Sequence, residues 1–466
     1  MSTPIEKPIL LYQSAEKIYP RRAQGRYARL RVIAMLLLLG VYYLTPWIQI
    51  GGQPLVWLDL PHRRFHIFTL ILDPQDLIYL TWMLLIAALT LFFFTTLGGR
   101  LWCGYACPQT VWTEAFLWIE HFTEGDRYKR MKLDRAPWSG TKVLRKGSKH
   151  LLWLLLALIT GLTFVSYFVP ARTLFPAALS LDLSGWPLFW TLFYGFATWG
   201  NAGFMREQVC KYMCPYARFQ SAMFDKDTLI ISYDTQRGEP RKSVAARTTT
   251  PAGDCIDCSI CVQVCPTGID IRKGLQYECI ACAACVDGCN EVMDRVGKPR
   301  GLIHYTSTHQ ENGQTFRLLR PRVIGYGVIW LALCIGFIIA ISLRVPLEFD
   351  VIRDRHTLYR TLGEGRFENL YTLKIANQDA NAHTFKLRVT GDKISYVADP
   401  DRFDLAAGES QSVTVSVRNQ TERPDDHKDS ESIEGIHTLS FELDAEDSGK
   451  TLRHRKSTFI AGERHD

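Results

Sequence analysis

From residue 344 to the C-terminus the sequence holds no cysteine; twelve of the thirteen cysteines in its 466 residues fall in short stretches between 103 and 289. The C-terminal portion therefore lacks the Cys…Trp…Cys signature of a true immunoglobulin domain. Basic residues are scarce in two connections: 51–76 holds only Arg63 and Arg64, and 171–185 only Arg172. Charge is missing altogether from five apolar stretches, 32–50, 77–98, 151–169, 186–205 and 323–343. Each is long enough to cross a bilayer core, which takes roughly 20 helical residues. The first lacks a small-residue cleavage site at its end, so it reads as a retained span and not as a removed signal peptide.

The net charge of +7 does not point to nucleic acid, because the cations sit beside the apolar stretches. Residues 1–31 carry Lys7, Lys17, Arg21, Arg22, Arg26, Arg29 and Arg31, and 100–150 is crowded with Lys and Arg. By the positive-inside rule the N-terminus is cytoplasmic, the loops alternate, 206–322 returns to the cytoplasm and the tail from 344 lies outside. The arm 1–31, with Pro4, Pro8 and Pro20, is expected to lie extended on the membrane surface against anionic headgroups. This orientation puts twelve cysteines on the reducing side, where thiolates meant for metal stay unoxidised. Cys334, amid Leu and Ile in the last apolar stretch, reads as a small buried apolar residue.

One cysteine spacing is written twice: Cys255-x-x-Cys258-x-x-Cys261 with a trailing Cys265-Pro266, then Cys279-x-x-Cys282-x-x-Cys285 with a trailing Cys289-Asn290. Three thiolates at two-residue gaps curl around one iron–sulfur cube, and in bacterial two-cluster ferredoxins the distant fourth ligates the other cube. Cys255, Cys258, Cys261 and Cys289 are thus expected to hold one [4Fe-4S] cluster, and Cys279, Cys282, Cys285 and Cys265 the other. Structural zinc uses two separated pairs, which this pattern is not. The small residues Ala281, Ala283, Ala284 and Gly288 suit backbone packed tightly around inorganic sulfide. A short strand at 229–233 is expected to join this module.

A second repeat follows the even-numbered apolar stretches: Cys103-Gly104-Tyr105-Ala106-Cys107-Pro108 and Cys210-Lys211-Tyr212-Met213-Cys214-Pro215. Cysteines four apart on a helix share a face, about 6 Å apart. The proline disfavours helix at its predecessor, so each helix should end near Cys107 or Cys214. Four soft thiolates, with Met213 nearby, suit Cu(I), zinc or an iron–sulfur cluster; ordinary small interfacial cysteines are the alternative. The run 112–119 is aromatic and amphipathic and should lie in the interface plane, and the basic stretch 127–149 after it should anchor to headgroups or dock an acidic electron donor. His62 and His66, four apart, suggest a metal or quinone site, but Arg63 and Arg64 between them favour solvated histidines. Residues 219–250 read as a polar linker with a threonine run. Beyond 344 the period changes to alternation, as in 412–417 and 438–443, and suggests a β-sandwich of Ig-like architecture.

With five spans, twin C-x-Y-x-C-P motifs, eight ferredoxin cysteines and an external β-sandwich, the whole chain resembles the CcoG family, also called FixG or RdxA. The fold class expected is a multi-domain membrane protein: a basic arm (1–31), four transmembrane helices (32–218), a linker and two-cluster module (219–322), a fifth transmembrane helix (323–343) and a periplasmic β-sandwich (344–466). The resemblance implies a bacterial inner-membrane cupric reductase that turns Cu(II) into Cu(I) for cbb-type cytochrome c oxidase assembly. Copper would be its substrate, at or near Cys103, Cys107, Cys210 and Cys214, which bind copper, bind iron or act as a dithiol relay. Implied partners are a copper-exporting P-type ATPase and oxidase assembly factors, with an unidentified cytoplasmic electron donor. A homodimer stays open. The other readings are a NapH-like quinol dehydrogenase, which shares both motifs but not the outer sandwich, and a non-catalytic assembly scaffold.

Overall fold

The computed structural model describes residues 17–68, 70–241, 253–363, 366–379, 381–391, 395–420, 435–446 and 451–462. Lys7, Pro4 and Pro8 of the arm and the threonine run of the linker lie outside the described residues. The chain divides into two compact units, 1–46 with 82–335 and 47–81 with 336–466.

Apolar sequence becomes long helix. Helices Arg26–Leu44, Leu77–Gly98, Gly140–Val165 and Pro321–Ser342 belong to the four candidate membrane spans. The expected stretch at 32–50 begins earlier and ends earlier, since Thr45–Trp47 turns and Gln49–Ile50 is extended. The stretch at 186–205 is not one regular helix: α-helix Gly185–Thr198 passes into a π-helical segment, Trp199–Met205, around Gly200 and Gly203. Four helices long and apolar enough to cross a membrane are thus formed among the described residues, and the fifth span expected at 186–205 falls on this broken helix.

The run 112–119 belongs to helix Pro108–Glu124, which does more than float in an interface plane. Phe116 is fully buried against Trp153 of Gly140–Val165, and the indole N–H of Trp153 donates to the Phe116 carbonyl at 3.0 Å. Three cations of the basic stretch after it turn inward, while Lys129, Lys132, Arg135 and Arg145 stay exposed: Arg130 binds Glu120 at 3.0 Å, and Lys146 and Lys149 bind Glu124 at 3.0 and 2.8 Å. Nor does the described part of the arm lie free. Arg21 N–H donates to the Gln263 carbonyl, Arg130 to the Pro20 carbonyl, and Lys17 pairs with Asp134 at 2.8 Å.

The iron–sulfur module has a two-stranded antiparallel ribbon, Ile230–Tyr233 on Ile303–Thr306, beside helices Ile260–Gln263 and Ala284–Arg295. Ile231, Ile271, Val286, Met293 and Leu302 form its apolar core.

In the second unit, alternating sequence becomes two facing antiparallel sheets. One contains Leu347–Arg353, Arg366–Asn377, Ser410–Asn419 and Tyr396–Asp399, with Arg360–Gly363 on its edge; the other contains Arg402–Leu405, His383–Gly391, Gly435–Ala445 and Thr451–Ala461. Inward residues such as Tyr371, Leu373, Val415, Leu439, Phe441 and Phe459 are fully buried between them. The connection 51–76 is not a loop but a three-stranded meander, Val56–Asp59, Arg64–Ile67 and Leu70–Leu72. His66 is buried and stacked on Trp57 at 4.9 Å, while His62 binds Asp59 at 2.7 Å. Strand geometry, not helix, separates the two histidines, and each has a partner of its own.

Candidate functional site

The two cysteine runs fold alike because their residues take the same unusual backbone. Asp257 and Ser259 in the first, Ala281 and Ala283 in the second, all have φ between 52° and 56°. These left-handed residues at matching positions turn successive backbone N–H groups inward, forming the concave nests that suit anionic metal clusters. A short helix starts straight after each, at Ile260 and at Ala284. Two cavities result. One is lined by Cys255, Cys258, Cys261 and Cys289; the other by Cys265, Cys279, Cys282 and Cys285, with Cys261 between them. Each run therefore sends its fourth cysteine to the other run's cavity.

Both cavities fit [4Fe-4S] clusters by their donor sets. Burial pushes Cys279 and Cys289 up to about 12 and Cys261 up to about 11. Thiols so buried hold protons unless a metal takes the proton's place, because coordination deprotonates a thiol outright. Arg272 beside Cys261, Arg237 beside Cys289 and Arg100 beside Cys279 each act against that rise and offset cluster negative charge. Asn290, in place of a second proline, accepts a hydrogen bond from Gly301 N–H at 2.9 Å.

The twin motifs also repeat in three dimensions, though not as single helices. Cys103 lies in helix Leu101–Tyr105, and Cys107 is extended (ψ 129°) before helix Pro108–Glu124. Cys210 lies in the π-helical segment Val209–Met213, and Cys214 is extended (ψ 108°) before helix Pro215–Ala222. Each proline thus opens a new helix at its first position, where its missing N–H costs nothing, besides ending the old one. The four thiols stand within electrostatic reach of one another: burial and then Cys107 raise Cys103 to about 12, with Cys210 and Cys214 adding to it. Burial, Cys107 and Cys214 raise Cys210 to about 11. Among the described residues, no three His, Cys, Asp or Glu side chains stand close enough to grip one ion. Met213 is exposed, and Cys334, in helix Pro321–Ser342, is half-buried and not fully buried as expected.

Several residues that sequence reasoning missed bring the parts together. Gly104 lies against the second cluster loop so closely that a Cβ there would meet the Ile280 carbonyl at 2.7 Å and Cys282 N at 3.0 Å. Buried Arg100 donates to the carbonyls of Tyr277, Cys279 and Ala217, tying the first motif to the second cluster loop and to the helix after the second motif. The Cys103 thiol donates to Gln220 at 3.1 Å. Tyr105 meets Tyr305, whose hydroxyl donates to the Ala281 carbonyl at 2.6 Å.

A clamp joins the two motifs on the other side. Arg206, four residues before Cys210, sits at φ 38°, a conformation L-residues rarely adopt. Its guanidinium binds Glu120 at 3.0 Å and the Gly203 carbonyl at 2.9 Å, and Gln109 donates to its carbonyl at 3.1 Å. Glu120 and Gln109 lie on the helix that Cys107 caps, so the helix after the first motif holds the turn before the second. Glu120 amid an aromatic run was the one signal in the sequence. Finally, Asp287 accepts from the N–H groups of Tyr27 and Ala28, satisfying the start of helix Arg26–Leu44, and Arg31 donates to the Cys282 carbonyl at 2.6 Å.

Comparison with known proteins gives three family matches: a 4Fe-4S dicluster domain over residues 205–308, a 4Fe-4S binding domain over 80–122, and the IG-like fold at the C-terminus of FixG, putative oxidoreductase, over 337–462. The chain is similar to the nitrogen fixation protein FixG of Rhizobium meliloti, at 37% identity over 87% of this chain and 85% of that one. It is similar to the protein RdxA of Cereibacter sphaeroides at 40% identity over 82% and 84%. The crystal structure of a FixG-related protein from Vibrio parahaemolyticus matches 25% of this chain and 96% of its own, at 26% identity and a TM-score of 0.20.

Proposed function

The chain belongs to the FixG/RdxA family of iron–sulfur electron-transfer proteins, and on that premise we propose that it is a membrane metalloreductase that converts Cu(II) to Cu(I) for assembly of a cbb-type cytochrome c oxidase. The observation that carries this reading is the contact of Gly104 with the Cys282 loop, which sets the Cys103 motif against a cluster cavity. The clusters, when bound, supply single electrons at low potential. The rest is done by the chain's own residues. Arg100 and Arg31 hold the loop that carries Cys279 and Cys282. The Glu120–Arg206 clamp and Gln109 hold Cys210 and Cys214 near Cys103 and Cys107. With no three thiols gathered on one point, the four suit an ion in passage handled by two soft donors at a time. Thiolates favour Cu(I) over Cu(II), so reduction and capture run in the same direction.

The proposal orients the chain in the inner membrane by its lysine and arginine distribution, with the iron–sulfur module cytoplasmic and the β-sandwich periplasmic. Cu(I) then passes to a copper-exporting P-type ATPase and on to oxidase assembly factors. Anaerobic protein reduced with dithionite, freed of excess reductant and then given Cu(II) and a Cu(I) chelator tests the reading. Wild type should form Cu(I) well above the reagent background, and Cys103→Ala and Cys210→Ala should lose most of that excess while keeping their cluster EPR signals. Equal rates in all three proteins would remove the twin motifs from the reaction. No Cu(I) above background, with clusters intact, would favour an assembly scaffold.

A further inference from the structure

The two cluster loops share a backbone conformation but not their surroundings. In the second loop the Tyr305 hydroxyl donates to the Ala281 carbonyl and Arg31 to the Cys282 carbonyl, both at 2.6 Å, and Arg100 reaches the Cys279 carbonyl at 3.4 Å. In the first loop the matching carbonyls are those of Asp257, Cys258 and Cys255, and none of them accepts a hydrogen bond from the protein among the described residues. Cys258 is also exposed, where its counterpart Cys282 is buried. Whatever the three donors do is therefore done to one site.

The Ala281 carbonyl and the Cys282 N–H belong to one peptide group, and the Cys282 carbonyl and the Ala283 N–H to the next. Ala281 and Ala283 are the left-handed residues of the nest, at φ 53° and 56°, so these are N–H groups that the nest turns inward. A donor on a carbonyl draws electron density along its peptide and makes the N–H a stronger donor, by ~10–30% per bond. Stronger N–H bonds to sulfur stabilise the more negative, reduced form of an iron–sulfur site and raise its potential. Burial of Cys282 and Ala283 acts the other way, since a low dielectric penalises added charge. The outside donors offset that penalty.

Tyr305 has a single hydroxyl proton, and Ala281 receives it, so the 3.3 Å contact with Tyr105 is a bond that Tyr105 donates. Tyr105 is the tyrosine of the first C-x-Y-x-C-P motif. Tyr212, its counterpart in the second, is 70% exposed. The relay thus joins one motif to one site. A phenol gives up an electron only far above the potential of such a site, so the pair conveys polarisation and not electrons. Glu114 and Asp287 also act on the Arg31 guanidinium, so its hydrogen bond, more than its bare charge, is what reaches the loop.

We propose that Tyr305 and Arg31 are positioning residues that raise the reduction potential of the iron–sulfur site of Cys265, Cys279, Cys282 and Cys285 through two peptide groups of its loop; the inference rests on the reading above that the chain transfers electrons. Tyr105 acts behind Tyr305 in the same direction.

The test is an EPR-monitored redox titration of the full-length protein with its clusters. Tyr305→Phe, which removes only a hydroxyl, and Arg31→Met should each move one midpoint to lower potential and leave the other in place. Arg31→Lys, which keeps a charged donor, should restore most of that loss, and Tyr105→Phe should give a smaller shift of the same sign. The Tyr305→Phe shift should persist in the Cys258→Ala background, where the remaining signal is that of the second site. Iron content and melting temperature check that each variant is folded, and a merely structural role would leave the midpoints of folded variants where they were. Unmoved midpoints in folded Tyr305→Phe and Arg31→Met overturn the proposal, as do equal shifts at both sites or a shift to higher potential. Copper reduction by wild type with unmoved midpoints in the variants sinks the tuning and leaves the reductase. Shifted midpoints in a protein whose wild type forms no Cu(I) do the reverse.

Discussion

Gly104 is the residue on which the approach of the two sulfur sites turns. Any Cβ there meets backbone atoms of the Cys282 loop, which cannot rotate aside as a side chain would. Gly104→Ala should therefore destabilise the first unit by about 1–3 kcal/mol, the usual cost of overpacking, and shift the EPR of the cluster that Cys282 ligates. An unaltered melting temperature and spectrum would show that the loop gives way freely. The cysteine assignment has an equally local test. Cys258→Ala and Cys282→Ala each remove a ligand from a different cavity, and each should lose about half of the protein's iron. If one substitution emptied the protein and the other emptied nothing, the cavities would not be independent sites. Both the run of eight cysteines and the motif cysteines were legible in the sequence, because fixed spacing is a local property. Gly104 was not, since a glycine beside a cysteine looks the same whether it faces solvent or another backbone.

Between elements, the decisive contact is a buried carboxylate held by cations from three separate segments. Burial alone would raise Glu120, but Arg206, Arg130 and Lys149 together hold its carboxyl below the usual range. Glu120→Gln leaves those cations short of an anion and should cost about 3–5 kcal/mol at neutral pH. The same change should also disturb copper reduction, since Arg206 positions the turn before Cys210. The pH dependence follows from the sign of the shift. With its folded value depressed, Glu120 stabilises the protein fully above the unfolded value near ~4.3 and loses that contribution as pH falls through the folded value. Acid titration of unfolding should thus be steeper for wild type than for Glu120→Gln, and parallel curves would contradict the clamp. Here the sequence told only part of the arrangement. The cations of 127–149 read as a surface for headgroups, whereas Arg130, Lys146 and Lys149 serve glutamates buried on the preceding helix. Charge counts do not say which way a side chain faces.

At the scale of the whole molecule, the chain divides into two units that each recruit distant sequence. Arg344, just past the last apolar helix, donates to Asp76 at 2.5 Å, the Ile71 carbonyl at 2.8 Å and Gln378 at 2.7 Å. Gln378 in turn donates to Asp73 at 2.6 Å, so the 47–81 meander is part of the β-sandwich unit. Arg344→Ala should loosen the meander by about 1.5–3 kcal/mol, the worth of a charged hydrogen bond, and raise hydrogen exchange over 56–72 while leaving iron content unchanged. Unaltered exchange there would mean that the meander is held by its own strands. The sequence by itself determined the two cluster cavities, the twin motifs, the long apolar helices and the alternating strands. All of these follow from spacing or period within a few residues. Only the tertiary structure decided that helix Arg26–Leu44 begins on Asp287, 259 residues from Ala28, and that Arg100 joins three segments. It also decided that the fourth apolar stretch breaks into a π-helical turn held by Glu120. Such contacts join residues distant in the chain, and a single polar side chain or glycine carries no local period by which to announce its partner.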